Sequence, residues 1–406
     1  MIPVAEARAR ILAALTPVAS ETVPLDAAFG RVLSAPAGAR LTQPPHDVSA
    51  MDGYAVRAAD CSAVPCLLAR GETVQAGALP TKPLQPGEAA RIFTGAPVPV
   101  QADAIVIQED TEISPDGRIE IREAPKPGQH IRRRGLDFAA GEAVLTEATL
   151  LTARHLALLA AAGVGEVTVR RKPVVAIVAT GDELVLPGET PAPAQIVAAS
   201  AVGLAAQIEA HGGAPRFIGI ARDTAASLRE TLAKTRGADL IVTLGGASVG
   251  EYDLIRDVLG RDGLALDFWK IAMRPGKPLM FGALGGTPFL GLPGNPVSSL
   301  VCSLLFLVPA LKALQGLSET NPRVIEARTG VALKANGPRE DYMRARLTFP
   351  PEGGAATIAP FPTQDSSMLS VLAAADALLI RPIGAPAVPA GTLVPALPLP
   401  ASHFQS

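Results

Sequence analysis

Lys172-Pro-Val-Val-Ala-Ile-Val-Ala-Thr180-Gly-Asp-Glu-Leu184 joins a continuous apolar run to a polar loop. Val174–Ala179 shows no polar alternation, the pattern of a strand buried on both faces of a parallel sheet. Working outward, Ser200–His211 reads as a helix ending at Gly212-Gly213, Phe217–Ile220 as a strand and Thr224–Lys234 as a helix. Asp239–Leu244 reads as a strand running into Gly245-Gly246, and a helix follows Pro296 to near Leu314. Strands alternating with helices predict βαβ units around a parallel sheet.

The flanks differ. Val4, Ala7, Ile11, Leu12 and Leu15 recur at helical spacing inside Ile2–Leu15. From Thr42 to Ala140, short apolar runs alternate with turn signals such as Pro86-Gly87, Pro115-Asp-Gly117 and Pro127-Gly128. That stretch predicts a β-rich domain. Leu150–Gly163 returns to a helical pattern, expected to pack with the first helix and make the β-rich part an insertion. Beyond Pro322, strands are expected at Val324–Leu333, Tyr342–Phe349 and Ala377–Arg381.

Composition narrows the class. The chain has 406 residues, enough for several domains, and a net charge of −2. Such a balance disfavours a general nucleic-acid binder. With 48% hydrophobic and 18% charged residues, wholesale disorder is excluded. The 38 glycines and 38 prolines speak for turns and short strands over helical bundles. Cys61, Cys66 and Cys302 form no C-x-x-C pair and fit a reducing compartment. Charged residues interrupt the N-terminal apolar pattern. Proline breaks the uncharged stretches Thr190–Ile208 and Pro382–Ser402, so neither reads as a membrane span. The expectation is a cytoplasmic protein without membrane partners.

Three polar loops follow three strands of the α/β part: Thr180–Leu184 with Gly181, Asp182 and Glu183, a loop with Asp223, and Gly245–Asp253. Ligands of parallel sheets sit outside the carboxyl ends of the strands. Glu183, Asp223 and Asp253 are therefore candidates to converge, as carboxylates beside substrate phosphates that hold Mg²⁺. Gly245, Gly246 and Gly250 let backbone N–H groups approach an anion. An ordinary turn explains any one loop; three in one sheet point to a phosphate-bearing ligand. No Walker A loop occurs. Lys270 and Arg274-Pro-Gly-Lys277-Pro278 put cations around a stiff turn suited to an oxyanion or to a plain basic surface. Leu292-Pro293-Gly-Asn-Pro296 opens a helix, where backbone N–H groups favour anions. Ser49–Ala55, Phe93–Pro97 and Arg132–Asp137 are dense in polar and turn residues within the β-rich segment.

At these residues the chain resembles the molybdopterin molybdenumtransferase family, that of MoeA and the gephyrin E domain. The likeness runs through Pro44–Ala55, Phe93–Pro99, Arg132–Asp137, Thr180–Leu184, Gly245–Asp253, Arg274–Pro278 and Leu292–Pro296, in shared order and spacing. It implies an α/β plus β multidomain fold. A central molybdopterin-binding-type α/β domain (172–318) would be joined by an N-terminal helical and linker domain (1–41 and 141–171), a β-rich inserted domain (42–140) and a C-terminal β-barrel-like domain (319–406). It implies insertion of molybdenum from molybdate into adenylylated molybdopterin with release of AMP, assisted by Mg²⁺. It also implies a homodimer whose site combines the α/β domain of one subunit with the N-terminal region of the other, and an adenylyltransferase of the same pathway as a possible partner.

By the same likeness, Glu183, Asp223 and Asp253 would bind Mg²⁺ or position phosphates beside Gly181 and Asp182. Gly245, Gly246 and Ser248 would cradle the pterin phosphate, and Lys270, Arg274 and Lys277 would hold molybdate or the diphosphate. Pro293 and Pro296 would shape that wall, with Arg344 and Ser366 near the oxyanion. Asp52, Thr94, Arg132 and Asp137 would come from the β-rich domain. Departures are Arg274, where many relatives carry Lys, Ala198-Ala199-Ser200 in place of a polar stretch, and His46 and Val48. The alternatives are an adenylyltransferase acting on molybdopterin and a non-catalytic scaffold. The adenylyltransferase would need neither the β insertion nor the C-terminal part.

Overall fold

The computed structural model describes residues 1–246, 260, 263–350 and 354–399. Ser248 and Asp253 of the predicted site, and Gly250, lie outside them. The chain divides into two compact units: residues 1–21, 30–34 and 169–406 form the first, and 22–29 and 35–168 the second.

The first unit begins with helix α1 (Val4–Ala13). Its α/β part follows: β1 (Val174–Thr180), α2 (Ala199–Ala210), β2 (Ala214–Ala221), α3 (Ala225–Ala233) and β3 (Leu240–Leu244). Then come β4 (Leu264–Phe268), β5 (Met273–Arg274), β6 (Met280–Leu284) and β7 (Thr287–Leu292). The helical segment α4 (Pro296–Leu314) includes one π-helical turn at Ser303–Leu307. The sheet order is β2-β1-β3-β7-β6-β4. β2, β1, β3 and β7 pair in parallel, and β6 and β4 extend the sheet antiparallel.

The apolar run of β1 is explained by helices on both faces. Val175 and Ile177 join Leu204 and Ile208 of α2 and Val301, Phe306 and Leu311 of α4 in one core. Val178 points the other way, into a core with Leu228 and Leu232 of α3. α4 is long and apolar enough to cross a membrane by composition, yet 78% of its apolar window is buried inside the protein. Burial by neighbouring protein accounts for that composition.

α1 corrects one expectation. Its buried Val4, Ala7 and Ile11 belong to the core formed by β1, β3 and α4, while the helix Ala153–Ala161, its expected partner, belongs to the second unit. The chain before α1 is tied down by Ile2, whose N–H donates to the carbonyl of Lys270 and whose carbonyl accepts from Ala272 N–H.

The C-terminal part of the first unit is a closed barrel. Its strands are β8 (Ile325–Thr329), β9 (Glu340–Thr348), β10 (Thr357–Pro360), β11 (Ala377–Arg381) and β12 (Leu393–Pro398). They run in the order β9-β10-β8-β12-β11, and β11 pairs back onto β9. β10 and β12 were not expected from the sequence. Pro360, Pro395 and Pro398 weaken their strand signal, and ladder partners on neighbouring strands supply the pairing that local propensity withholds.

The second unit holds a six-stranded sheet in the spatial order Ala104–Ile107, Gly53–Val56, Glu88–Ile92, Cys66–Val74, Ile119–Ile121 and Thr111–Ile113. This fulfils the expectation of short strands between turns. Gly53 sits where a side chain has no room, since a Cβ there would overlap the Val106 carbonyl.

If α1 is part of the α/β core, Ile11→Ala should lower the stability of the first unit by about 2–5 kcal/mol through lost burial and a residual cavity. Urea unfolding with an unchanged m-value measures this.

Candidate functional site

β2, β1 and β3 are parallel neighbours, so the loops that leave their carboxyl ends share one edge of the sheet. Of the residues read from the sequence, Gly181, Asp182, Glu183, Asp223, Gly245 and Gly246 sit there. Gly181 N–H donates to Ala221 O at 3.1 Å, Thr180 Oγ1 donates to Leu244 O at 3.2 Å, and Gly245 N–H donates to Leu292 O at 3.1 Å. These bonds stitch all four parallel strand ends together.

Gly245 is required by close approach. Its φ is +91°, and a Cβ would lie 2.8 Å from Thr180 Oγ1 and 2.9 Å from Thr180 O. A Cβ on Gly294 would lie 3.4 Å from the Gly245 Cα, so the loop carrying Pro293 and Pro296 abuts the glycine loop. Backbone and the Thr180 hydroxyl line this corner, which leaves a ligand room to approach the main chain closely.

The acids lie beside it. Glu183 and Asp223 are exposed, and the Glu183 carboxylate lies back over Gly181 so closely that a Cβ there would strike it. Asp182 accepts Asp223 N–H at 3.1 Å through Oδ1. Sequence reading missed Arg222. Its Nη1 donates to the carbonyls of Gly181 (3.4 Å), Asp182 (3.0 Å) and Leu184 (3.1 Å), gathering the Glu183 loop against the Asp223 loop. Its position directly before Asp223 was the only signal available. Among the described residues, no three His, Cys, Asp or Glu side chains lie close enough to form a metal site. Glu183 and Asp223 offer two carboxylates at the sheet edge. That number suits Mg²⁺, which takes one or two carboxylates plus substrate phosphates and keeps several waters.

The cations come from the segment just before β5, from β5 and the turn after it, and from β9. Lys277 is half-buried, and its carbonyl accepts the N–H groups of Ile271 and Leu279, both at 3.1 Å. The Lys270 ammonium lies 3.8 Å from the centroid of the Trp269 ring. Arg274 forms a two-point ion pair with Asp341.

Arg344 is 1% exposed on β9. Its Nη2 donates to Asp365 O at 2.9 Å, while its Nε has no hydrogen-bond partner. Burial pushes its pKa down, but a guanidinium stays charged in protein. A buried cation with an unpaired donor carries a desolvation cost that a nearby negative charge offsets. The neighbouring Ser366 is joined to the start of α4: Asn295 Nδ2 donates to Ser366 Oγ at 2.9 Å, and Val297 N–H donates to Ser366 O at 3.1 Å. The structure thus brings Pro293, Pro296, Arg344 and Ser366 to one wall, next to Gly245.

In the second unit, the predicted residues fall in two places. Asp52 Oδ1 accepts both Thr94 N–H (2.7 Å) and Thr94 Oγ1–H (2.8 Å). These bonds hold the Asp52 carboxyl below the usual carboxylate range. Arg132 and Asp137 line a cleft of about 550 Å³ together with Gln43, Pro44, His46 and Gly95. The arginines beside Arg132 are otherwise engaged. Arg133 Nη1 donates to Asp47 Oδ2 at 2.6 Å, Arg134 N–H to Asp47 Oδ1 at 2.8 Å, and Arg134 Nε to Pro45 O at 3.1 Å.

Three family models match the chain in succession. They are the MoeA N-terminal region (domain I and II) over residues 2–163, a probable molybdopterin binding domain over 176–313, and the MoeA C-terminal region (domain IV) over 326–399. The chain is similar to molybdopterin molybdenumtransferase of Nostoc sp., with 37% identity over 397 residues covering 94% of this chain and 89% of that one. It is also similar to molybdopterin molybdenumtransferase 2 of Mycobacterium tuberculosis, with 39% identity over 382 residues covering 91% and 93%. The crystal structure of the molybdopterin biosynthesis MoeA protein from Pyrococcus horikoshii superposes with a TM-score of 0.83 at 31% identity, covering 98% of this chain and 99% of that one. Sequence, fold and the order of the loops agree, and the chain belongs to the MoeA family.

Proposed function

We propose that the protein is a molybdopterin molybdenumtransferase, inserting molybdenum from molybdate into adenylylated molybdopterin and releasing AMP. The observation that carries this reading is the shared sheet edge. Backbone of Gly245 and Gly294, the carboxylates of Glu183 and Asp223, and the wall of Ser366 and Arg344 adjoin one another there. A substrate with a diphosphate needs the cradle and the carboxylates, and a tetrahedral oxyanion needs the cations.

In this reading, Gly246 and Ser248 hold the pterin phosphate through backbone and hydroxyl donors, and Gly245, whose own N–H is given to Leu292 O, leaves room for it to approach. Lys270 and Lys277 attract molybdate, and Arg344, buried beside Ser366, adds positive charge behind them. Glu183 and Asp223, with Asp253 as a third candidate, would hold Mg²⁺, which when bound withdraws charge from the scissile phosphoanhydride. Arg222 keeps the two acid-bearing loops in register. Asp52, held ionised by Thr94, and Arg132 and Asp137 at the cleft are the second unit's candidates for contact with substrate. The active form would be a cytoplasmic homodimer, with an adenylyltransferase supplying the adenylylated substrate.

Purified protein mixed with adenylylated molybdopterin, Mg²⁺ and molybdate should release AMP in a molybdate-dependent manner. Glu183→Ala should slow that release by about 10²-fold or more, the usual loss for a group aimed at developing charge. AMP release that ignores both molybdate and Glu183 refutes the assignment, and binding without release favours a scaffold.

Gly245→Ala should force the loop away from Thr180 and weaken binding of the adenylylated substrate by about 10- to 100-fold. Titration calorimetry reads that loss, with circular dichroism confirming an intact fold.

A further inference from the structure

Arg274, Lys270 and Lys277 look interchangeable in the sequence, but the structure uses them differently. Arg274 ends β5, which pairs in parallel with β9 so that Arg274 stands opposite Asp341. Arg274 Nε donates to Asp341 Oδ1 at 2.6 Å, and Nη2 donates to Oδ2. Asp341 is only 4% exposed. A carboxylate withdrawn from water needs a cation, and stripping that cation away leaves a costly uncompensated charge. The guanidinium fork meets both oxygens, whereas an ammonium meets them as a single point. Neither Lys270 nor Lys277 pairs with a carboxylate among the described residues, so their charges are not committed in this way.

β9 carries the second part of the argument. Three residues beyond Asp341 it bears Arg344, whose Nη2 holds the Asp365 carbonyl beside Ser366. One strand therefore anchors the turn with Lys277 at one point and the Ser366 loop at another.

We infer that Arg274 is a positioning residue: clamped to Asp341, it fixes the 274–278 turn to β9 and leaves oxyanion binding to the lysines and Arg344. The inference rests on the molybdate-using reading above. It differs from the role the family likeness implies for this position, where Arg274 itself would hold the oxyanion.

The test uses the full chain as wild type and as Asp341→Asn, Arg274→Gln, Arg274→Lys and the Gln/Asn double variant. AMP release is followed against molybdate concentration, and urea unfolding is measured in parallel. A positioning role predicts that Asp341→Asn, Arg274→Gln and Arg274→Lys each raise the half-saturating molybdate concentration by about tenfold, with kcat within about twofold. The double variant should be no worse than the worse single one, and the shifts in urea midpoint should be non-additive.

If Asp341→Asn leaves or lowers half-saturation while Arg274→Gln raises it, Arg274 binds the oxyanion directly and the inference fails. It fails too if Arg274→Lys behaves as wild type, since charge alone would then suffice. A wild-type protein that releases no AMP refutes the functional reading instead, and coupling in urea unfolding then decides whether the pair anchors the turn.

Discussion

Parallel pairing of β1 with β2 on one side and β3 on the other is the constraint from which the site follows. Parallel neighbours must send their following loops out at the same edge, so three polar loops distant in sequence become adjacent. The pairing is held by burial on both faces. Ile177 faces the core of α1, α2 and α4, and Val178 faces that of α3. Once the strands are fixed, contacts at their ends leave little freedom. Thr180 meets Gly245, Gly245 meets Gly294, and Asn295 bonds Ser366.

Charge is distributed around that edge in two modes. Some groups are spent on internal contacts: Arg222 on three backbone carbonyls and Arg274 on the Asp341 carboxylate. Others face solvent at the sheet edge, as Glu183 and Asp223 do, while Arg344 keeps a buried Nε without a partner. The division between anchoring and open cations is a property of geometry. Residue type does not reveal it, as the arginine run Arg132–Arg134 shows: Arg132 lines a cleft while its two neighbours serve Asp47.

Much of the fold was legible locally. The unbroken apolar run of β1, the glycine pairs after α2 and β3 and the proline that opens α4 are short-range signals, and each element formed where expected. The barrel was legible only in part. Strands β10 and β12 carry prolines, and their pairing depends on partners far along the chain. The placement of α1 failed for the same reason. Its apolar stripe announced that it must be buried, but any apolar surface would have satisfied it, and the α/β core supplied one.

The sequence by itself determined the parallel α/β core, the β-rich flanks, the loops that carry carboxylates and glycines, and membership in the MoeA family. Periodicity and turn chemistry act over a few residues and leave their mark in composition. Tertiary structure alone decided that Arg222 gathers the acid loops, that Arg274 answers a buried Asp341, and that Arg344 keeps an unpartnered Nε beside Ser366. Those facts depend on which groups meet after folding. A side chain's burial and partners are set by chain segments tens of residues away, and no local pattern encodes them.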